Sequence, residues 1–245
     1  MKKIYFSVLL SFICLNTFGQ KIISDYMESP ISKTELLDLN KINKEIKEMD
    51  IDSVVIKGLV SAYFAEQEEQ LENKRKYRQA SILFWSESIK RNNDVSSNYY
   101  NRGKAYAQLG EFKKALYDFN EVAKLKTEDA EIYYYKAQCK TELKDFYGAI
   151  NDYSSAITKT DDNEMKTSLL VKRSNSYSEL KSYDKAIQDL SNALKLDDTN
   201  IQALLKRGVL YLVVFDQKEK GCIDLSKAGE NGYEKAYEII NKYCN

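Results

Sequence analysis

The feature that most restricts this chain is a recurrence. Ala115-Leu116-Tyr117-Asp118-Phe119 returns as Ala149-Ile150-Asn151-Asp152-Tyr153 and again as Ala186-Ile187-Gln188-Asp189-Leu190, at steps of 34 and 37 residues. Upstream of each run lies a second frame: Tyr99-Tyr100-Asn101-Arg102-Gly103-Lys104-Ala105-Tyr106, then Tyr133, Lys136, Ala137 and Lys140, then Leu170, Arg173, Ser174 and Tyr177. A looser fourth copy has Leu204, Arg207, Gly208 and Tyr211, then Gly221-Cys222-Ile223-Asp224-Leu225, with one residue inserted between its halves. A period of this length makes each copy one supersecondary unit that buries its apolar face only by stacking on its neighbours. The steps of four and three from Tyr99 to Gly103 to Tyr106 describe one face of an α-helix. Gly103, Ala137, Ser174 and Gly208 are small at one slot, and Ala115, Ala149 and Ala186 at another, as a close helix crossing requires. One Pro and nine Gly in 245 residues leave few strand-bounding turns, so the chain reads as all-helical.

These residues resemble the tetratricopeptide repeat (TPR), a unit of two antiparallel helices. Tyr99, Gly103, Tyr106, Ala115 and Phe119 follow its pattern, with Tyr where Trp is commonest, while Thr127, Asp161 and Asp198 stand where the family closes with Pro. The resemblance implies an all-α, right-handed solenoid of antiparallel helix hairpins with a C-terminal capping helix. Repeats are expected at about 97–128, 131–161, 168–198 and 201–228 within residues 96–230, after a divergent hairpin over 54–95 in which Tyr77 and Ala80 begin a second-helix pattern. Residues 231–245, with Ala236, Ile239, Ile240 and Tyr243, form the cap. Residues 21–53 form an N-terminal capping helix or a tethered arm. There Ser32-Lys33-Thr34-Glu35 is a capping box, and Leu36, Leu39, Ile42, Ile46 and Met49 make an amphipathic helix.

Residues 1–20 have the layout of a secretory signal peptide: Lys2 and Lys3, an apolar run from Ile4 to Leu15, then Thr17 and Gly19 as the small residues before a cut. The apolar run is too short to span a bilayer, so no integral membrane segment is expected after cleavage, and the protein is expected to be exported to the periplasm, the envelope or the medium. The low Pro and high Lys, Asn and Ile content suits a bacterium. Acylation at Cys14 is disfavoured, because Ile13 stands where lipoprotein signals carry a small residue.

Composition removes whole classes of function. Lys plus Arg and Asp plus Glu both number 37, so no basic excess exists to neutralise phosphates, and nucleic acid is not an expected partner. The chain has no His, which removes imidazole bases, Ser-His-Asp and Cys-His pairs and His-containing metal sites. Neither a Gly-x-Gly-x-x-Gly run, nor a phosphate-binding loop, nor Cys-x-x-Cys occurs. No catalytic residue, cofactor or metal is expected. The recurrent Arg102, Lys136, Arg173 and Arg207, facing Asp118, Asp152, Asp189 and Asp224, read as ion pairs within the solenoid, worth ~0–1 kcal/mol each if exposed.

The binding candidates lie about 100° around the first helices from the packing face. Tyr100, Lys104 and Gln108 form one stripe, followed by Tyr134, Gln138 and Glu142, by Val171, Asn175 and Glu179, and by Leu205, Val209 and Val213. In the family this stripe lines a groove for peptides or partner helices. The family's clamp for a C-terminal carboxylate is not met, since its slots hold Tyr100, Lys104, Tyr135, Ser168 and Lys172. The expected function is therefore non-catalytic binding of a protein or peptide. The alternative is a structural subunit or an oligomer joined through the aliphatic C-terminal stripe, and a third reading is glycan binding by Tyr100 and Tyr134. Cys139 reads as a small buried hydrophobe, and Cys222 and Cys244, at the ends of antiparallel helices, as a disulfide pair.

Overall fold

The computed structural model describes residues 35–125 and 129–244, so the signal segment, Cys14, Ser32, Lys33, Thr34, Thr127 and Asn245 lie outside the described residues. All regular structure among the described residues is helical: a 3-10 turn (Glu35–Leu37), α1 (Leu39–Glu45), α2 (Ile51–Gln67), α3 (Leu71–Lys90), α4 (Val95–Gln108), α5 (Phe112–Leu125), α6 (Ala130–Glu142), α7 (Phe146–Lys159), α8 (Asn163–Glu179), α9 (Tyr183–Leu196), α10 (Ile201–Val213), α11 (Lys218–Glu230) and α12 (Ala236–Tyr243). The chain divides into two compact units between Val122 and Ala123. Each is an array of antiparallel helix hairpins of the TPR kind, and a short helix ends the second.

Carboxylate caps set half of the helix starts. Asp38, Asp50, Asp94, Asp129, Asp145 and Asp162 each accept a backbone N–H from the first turn of the helix they precede, and Asn200 does so for α10. The amphipathic N-terminal stretch is therefore capped at Asp38, and it forms a 3-10 turn followed by α1 rather than one helix. Leu36, Ile42 and Ile46 are buried in one cluster with Val54, Val60, Tyr77, Ala80 and Phe84, so this stretch is a cap seated on α2 and α3 and not a free arm. Arg91 fastens it by donating to the carbonyls of Ile46 and Met49, at 2.9 and 2.6 Å.

The turns inside the hairpins repeat one geometry. Gly110, Lys144 and Lys181 have φ of 79°, 60° and 56° and follow α4, α6 and α8 at the same slot, and Asp216, one position further along, follows α10 with φ 51°. The residue after each of the first three donates its N–H five residues back, Glu111 to Tyr106, Asp145 to Lys140 and Ser182 to Tyr177, which satisfies a terminal helix carbonyl.

Small residues sit where helices cross. A methyl group on Gly103 would come 3.0 Å from the Phe119 ring, and one on Gly208 would come 3.1 Å from the Gly221 carbonyl. Ala115, Phe119, Ala149, Tyr153 and Ala186 are buried, whereas Tyr99 and Tyr106 lie half-buried beside Arg102. In the second unit one cluster joins Ala137, Ala149, Tyr153, Ala156 and Leu169, and another joins Leu170, Val171, Leu190, Leu194, Leu204, Ala228 and Ala236. The step of 37 residues has a visible origin, since α8 is 17 residues long where α6 and α10 have 13.

The ion pairs are not exposed, which corrects the sequence reading. Arg102 donates Nε and Nη2 to the two oxygens of Asp118 at 2.9 and 2.8 Å, and Nη1 to Ser86 Oγ at 3.1 Å. Arg173 holds Asp189 and Ser154 in the same way, and Arg207 holds Asp224 and Ser191. Each Arg thus ties the second helix of its own hairpin to the helix before it, and the carboxylates are buried.

Candidate functional site

The predicted stripe is largely occupied by its own side chains. In the first unit the Lys104 ammonium lies 5.3 Å from the centre of the Tyr100 ring. Gln108 donates to Glu66 at 2.8 Å and accepts from Arg78 at 3.1 Å, so it fastens α4 to the preceding hairpin. That role was hidden because its partners lie in the divergent hairpin, outside the repeat.

In the second unit Gln138 donates to the Tyr134 hydroxyl at 2.8 Å, Tyr134 and Tyr135 pack ring against ring, and Lys172 lies 5.6 Å from the Tyr134 ring centre. Burial raises the Tyr134 phenol above its ordinary value, with the Gln138 bond opposing. Val171 is 8% exposed and belongs to the core, a correction to its placement on the open stripe. Its helix is buried on two sides, where Leu169, Leu170 and Val171 meet neighbours in succession. Glu142 and Glu179 are exposed, and Asn175 is half-buried.

At the end of the stripe Leu205 packs half-buried against the C-terminal cluster. Val209 and Val213, one turn apart on α10, are 39% and 72% exposed, and α12 leaves them uncovered. Cys222 and Cys244 stand as a disulfide pair with Cα atoms 5.9 Å apart, at the second turn of α11 and the end of α12. Cys139 is a buried free thiol.

Between α8 and α10 lies a cleft of about 970 Å³ with Val171 in its wall and Lys172, Asn175, Asn200, Gln202 and Lys206 around it. Lys206 is half-buried, and burial followed by the neighbouring Lys172 charge holds its ammonium below the ordinary lysine value. The sequence reading placed Lys172 only among the unmet clamp slots and did not single out Lys206. The signal for both was their common slot, one residue before the recurrent Arg. Among the described residues no group of His, Cys, Asp or Glu could hold a metal ion, and no helix is long and apolar enough to cross a membrane.

Family models for "Tetratricopeptide repeat" and "TPR repeat" match residues 96–129 and 175–212. A comparison with curated proteins finds no match. Among solved structures, the chain is similar to MamA with 20% identity and a TM-score of 0.60, over 69% of this chain and 99% of that one. YrrB, described as a TPR protein with an unusual peptide-binding site, is 16% identical with a TM-score of 0.61, over 82% and 97% of the two chains. The APC/C hetero-tetramer Cut9-Hcn1 matches over 98% of this chain and 51% of that one, at 17% identity and a TM-score of 0.52. At these identities the likeness establishes the fold alone: an all-α, TPR-like array of helix hairpins.

Proposed function

We propose that this chain is a non-catalytic scaffold that buries the aliphatic face of α10 against a protein partner in a lasting assembly, as an oligomer or as a fixed subunit of an envelope complex. The exposure of Val209 and Val213 carries this reading. Fully burying an exposed aliphatic side chain is worth ~1.5–3 kcal/mol, of which Val213, 72% exposed, has most still to gain and Val209, 39% exposed, less than half, before association costs. Much of the remaining stripe is less available, because Val171 is core, Gln108 is bonded to Glu66 and Arg78, and Tyr134 is bonded to Gln138. The hetero-tetrameric Cut9-Hcn1 gives such a fold a precedent in an assembly.

A sedimentation concentration series tests the reading, with Val209→Ser/Val213→Ser as the variant. The variant should dissociate the assembly and leave the thermal midpoint unchanged. A monomer at every concentration, whose capture of crosslinked envelope partners is the same with and without the substitutions, would overturn it. Envelope location belongs to the same proposal and is supported by the signal-like layout of residues 1–20. Intact mass from the exporting host should show cleavage near Gly19 or Gln20, and a mature end at an acylated Cys14 would refute that cut.

Capture of a peptide is the second reading, favoured by the cleft between α8 and α10 and given a precedent by the peptide-binding site described for YrrB. Glycan stacking has less support, since the rings of Tyr100 and Tyr134 already face Lys104 and Lys172.

A further inference from the structure

Cys222 and Cys244 differ from the buried Cys139 in their surroundings: both are half-buried and line an open groove of about 580 Å³ between α11 and α12, with Ile223 and Ile240 beside them. The disulfide therefore lies at a surface that an external thiolate can reach. What it holds in place has little else to keep it there. Of α12 only Ala236 is buried, and the Tyr237 ring lies against Gly229 of α11. Eight residues are too few for a helix to persist by itself in water.

The place that α12 covers is a stacking face of the array. Ala193 and Ala228 each stand four residues after a recurrent buried Asp, Asp189 and Asp224, so they share one slot. In α9 that slot and the adjoining Leu194 share a cluster with Ala203 and Leu204 of the following hairpin. On α11 the same slot is closed by α12, through Ala236 in the cluster of Ala228.

We propose that the Cys222–Cys244 disulfide is a redox latch: a dithiol reductant opens it, α12 comes away from α11, and the stacking face at Ala228 and Gly229 stays uncovered until reoxidation closes it. The exchange runs in two displacements. A thiolate of the dithiol attacks one sulfur, forms a mixed disulfide with it and expels the other as a thiolate. The second thiol of the reductant then attacks its own sulfur in the mixed disulfide, expels the remaining protein thiolate and leaves as the oxidised disulfide. Two electrons pass from the dithiol to the protein, and its two protons end on Cys222 and Cys244.

The helices decide which sulfur leaves first. A Cys244 thiolate would form at the carbonyl end of α12, where the Cys244 N–H bonds to the Ile240 carbonyl and the dipole opposes negative charge. Cys222 lies in the second turn of α11, away from such an end, and Lys218 and Glu219 one turn earlier carry opposite charges. Cys222 is thus the better leaving group, and the mixed disulfide forms on Cys244, at the end of the helix that then moves.

The test uses the oxidised full chain under native conditions. Glutathione, a monothiol, should stop at the first displacement. Peptide mapping after an acid quench should find it on Cys244, with a free thiol at Cys222, in about threefold excess over the reverse. Dithiothreitol should speed hydrogen exchange in α12 by about tenfold or more, with far less change in α8 and α9, and oxidised glutathione should restore the protection. In Cys222→Ser/Cys244→Ser the exchange of α12 should be fast with and without reductant, which separates loss of the bond from any other effect of the thiol. A disulfide that dithiothreitol opens only in denaturant is a structural brace, and that result overturns the latch. Protection of α12 that survives full reduction, or that reoxidation does not restore, overturns it as well. Glutathione found mainly on Cys222 overturns the order of the displacements.

Discussion

Lys140 stands 2.6 Å from Asp152, in the slot where the other three repeats carry Tyr106, Tyr177 and Tyr211. The substitution is paired with another, since Lys136 replaces Arg at the slot one turn earlier and reaches Asp152 at only 3.5 Å. Two single-point lysines thus do the work that one forked guanidinium does elsewhere. Removing one carboxylate from a guanidinium pair leaves an uncompensated charge, so Asp118→Ala should cost ~3–5 kcal/mol. Lys136→Ala should cost ~1 kcal/mol or less, because Lys140 still neutralises Asp152. Urea denaturation of both variants decides the matter, and equal losses would refute the shared duty of Lys136 and Lys140.

The turn slot offers a gain in stability. Lys144 and Lys181 hold positive φ where the first repeat has Gly110, and a side chain in that region carries a steric cost that glycine lacks. Lys144→Gly and Lys181→Gly should each stabilise by ~0.5–1 kcal/mol, after the entropy glycine loses on folding. A lowered urea midpoint in both variants would show that the lysine side chains contribute more at these turns than the strain removes.

The packing slots were readable because periodicity reports burial. Gly103, Ala115, Phe119, Ala149 and Ala186 recur at fixed spacing, and each is buried at a helix crossing. The open stripe was less readable. An offset of 100° assumes that one side of a helix faces water, and α8, enclosed on two sides, violates that at Val171. Nor can spacing reveal a contact that joins a repeat to a divergent neighbour, as Gln108 does with Glu66. The left-handed turn at Lys144 was equally silent, since lysine carries no signal for positive φ, and only the alignment with Gly110 exposes it.

Overpacking a crossing should be costly in either unit. Gly103 faces Phe119 with room for a methyl group only at 3.0 Å, and Ala149 lies in the cluster with Ala137 and Tyr153. Gly103→Leu and Ala149→Leu should each cost ~1–3 kcal/mol by chemical denaturation. Unchanged midpoints in both would remove the register on which the repeat alignment rests.

Alkaline pH should weaken the second unit. Burial pushes the Cys139 thiol up to about 12, with nearby Glu142 adding, and burial pushes the Tyr153 phenol up to about 12 against a bond from Thr141. In the unfolded chain these groups titrate near ~8.5 and ~10. Both folded values are raised, so the stability they contribute is fully present below the unfolded values and is lost as pH rises through the folded ones. Denaturation midpoints should fall steadily from about pH 9 towards pH 12, and Tyr153→Phe should flatten the upper part of the slope. Native Cys139 should resist alkylation at pH 8. A thiol that reacts at the unfolded rate under native conditions would contradict its burial.

The disulfide supplies the last expectation. Helix α12 is only eight residues long, too short to persist alone, and it holds to the body through Ala236 against the C-terminal cluster and through the Tyr237 ring over Gly229. The Cys222–Cys244 link closes a loop with a sequence separation of 22, which by the chain-entropy model is worth ~3 kcal/mol. Cys222→Ser/Cys244→Ser should therefore unfold at a lower denaturant concentration than the oxidised chain, and the wild type under reductant should behave like the double variant. Hydrogen exchange should speed up first in α12 and in the first two turns of α11, because those are the segments the link holds down. Non-reducing peptide mapping of the exported protein must recover the Cys222–Cys244 pair. Free thiols at both positions would remove the basis for the expectation, and equal stability with and without reductant would show that apolar packing alone holds α12 in place.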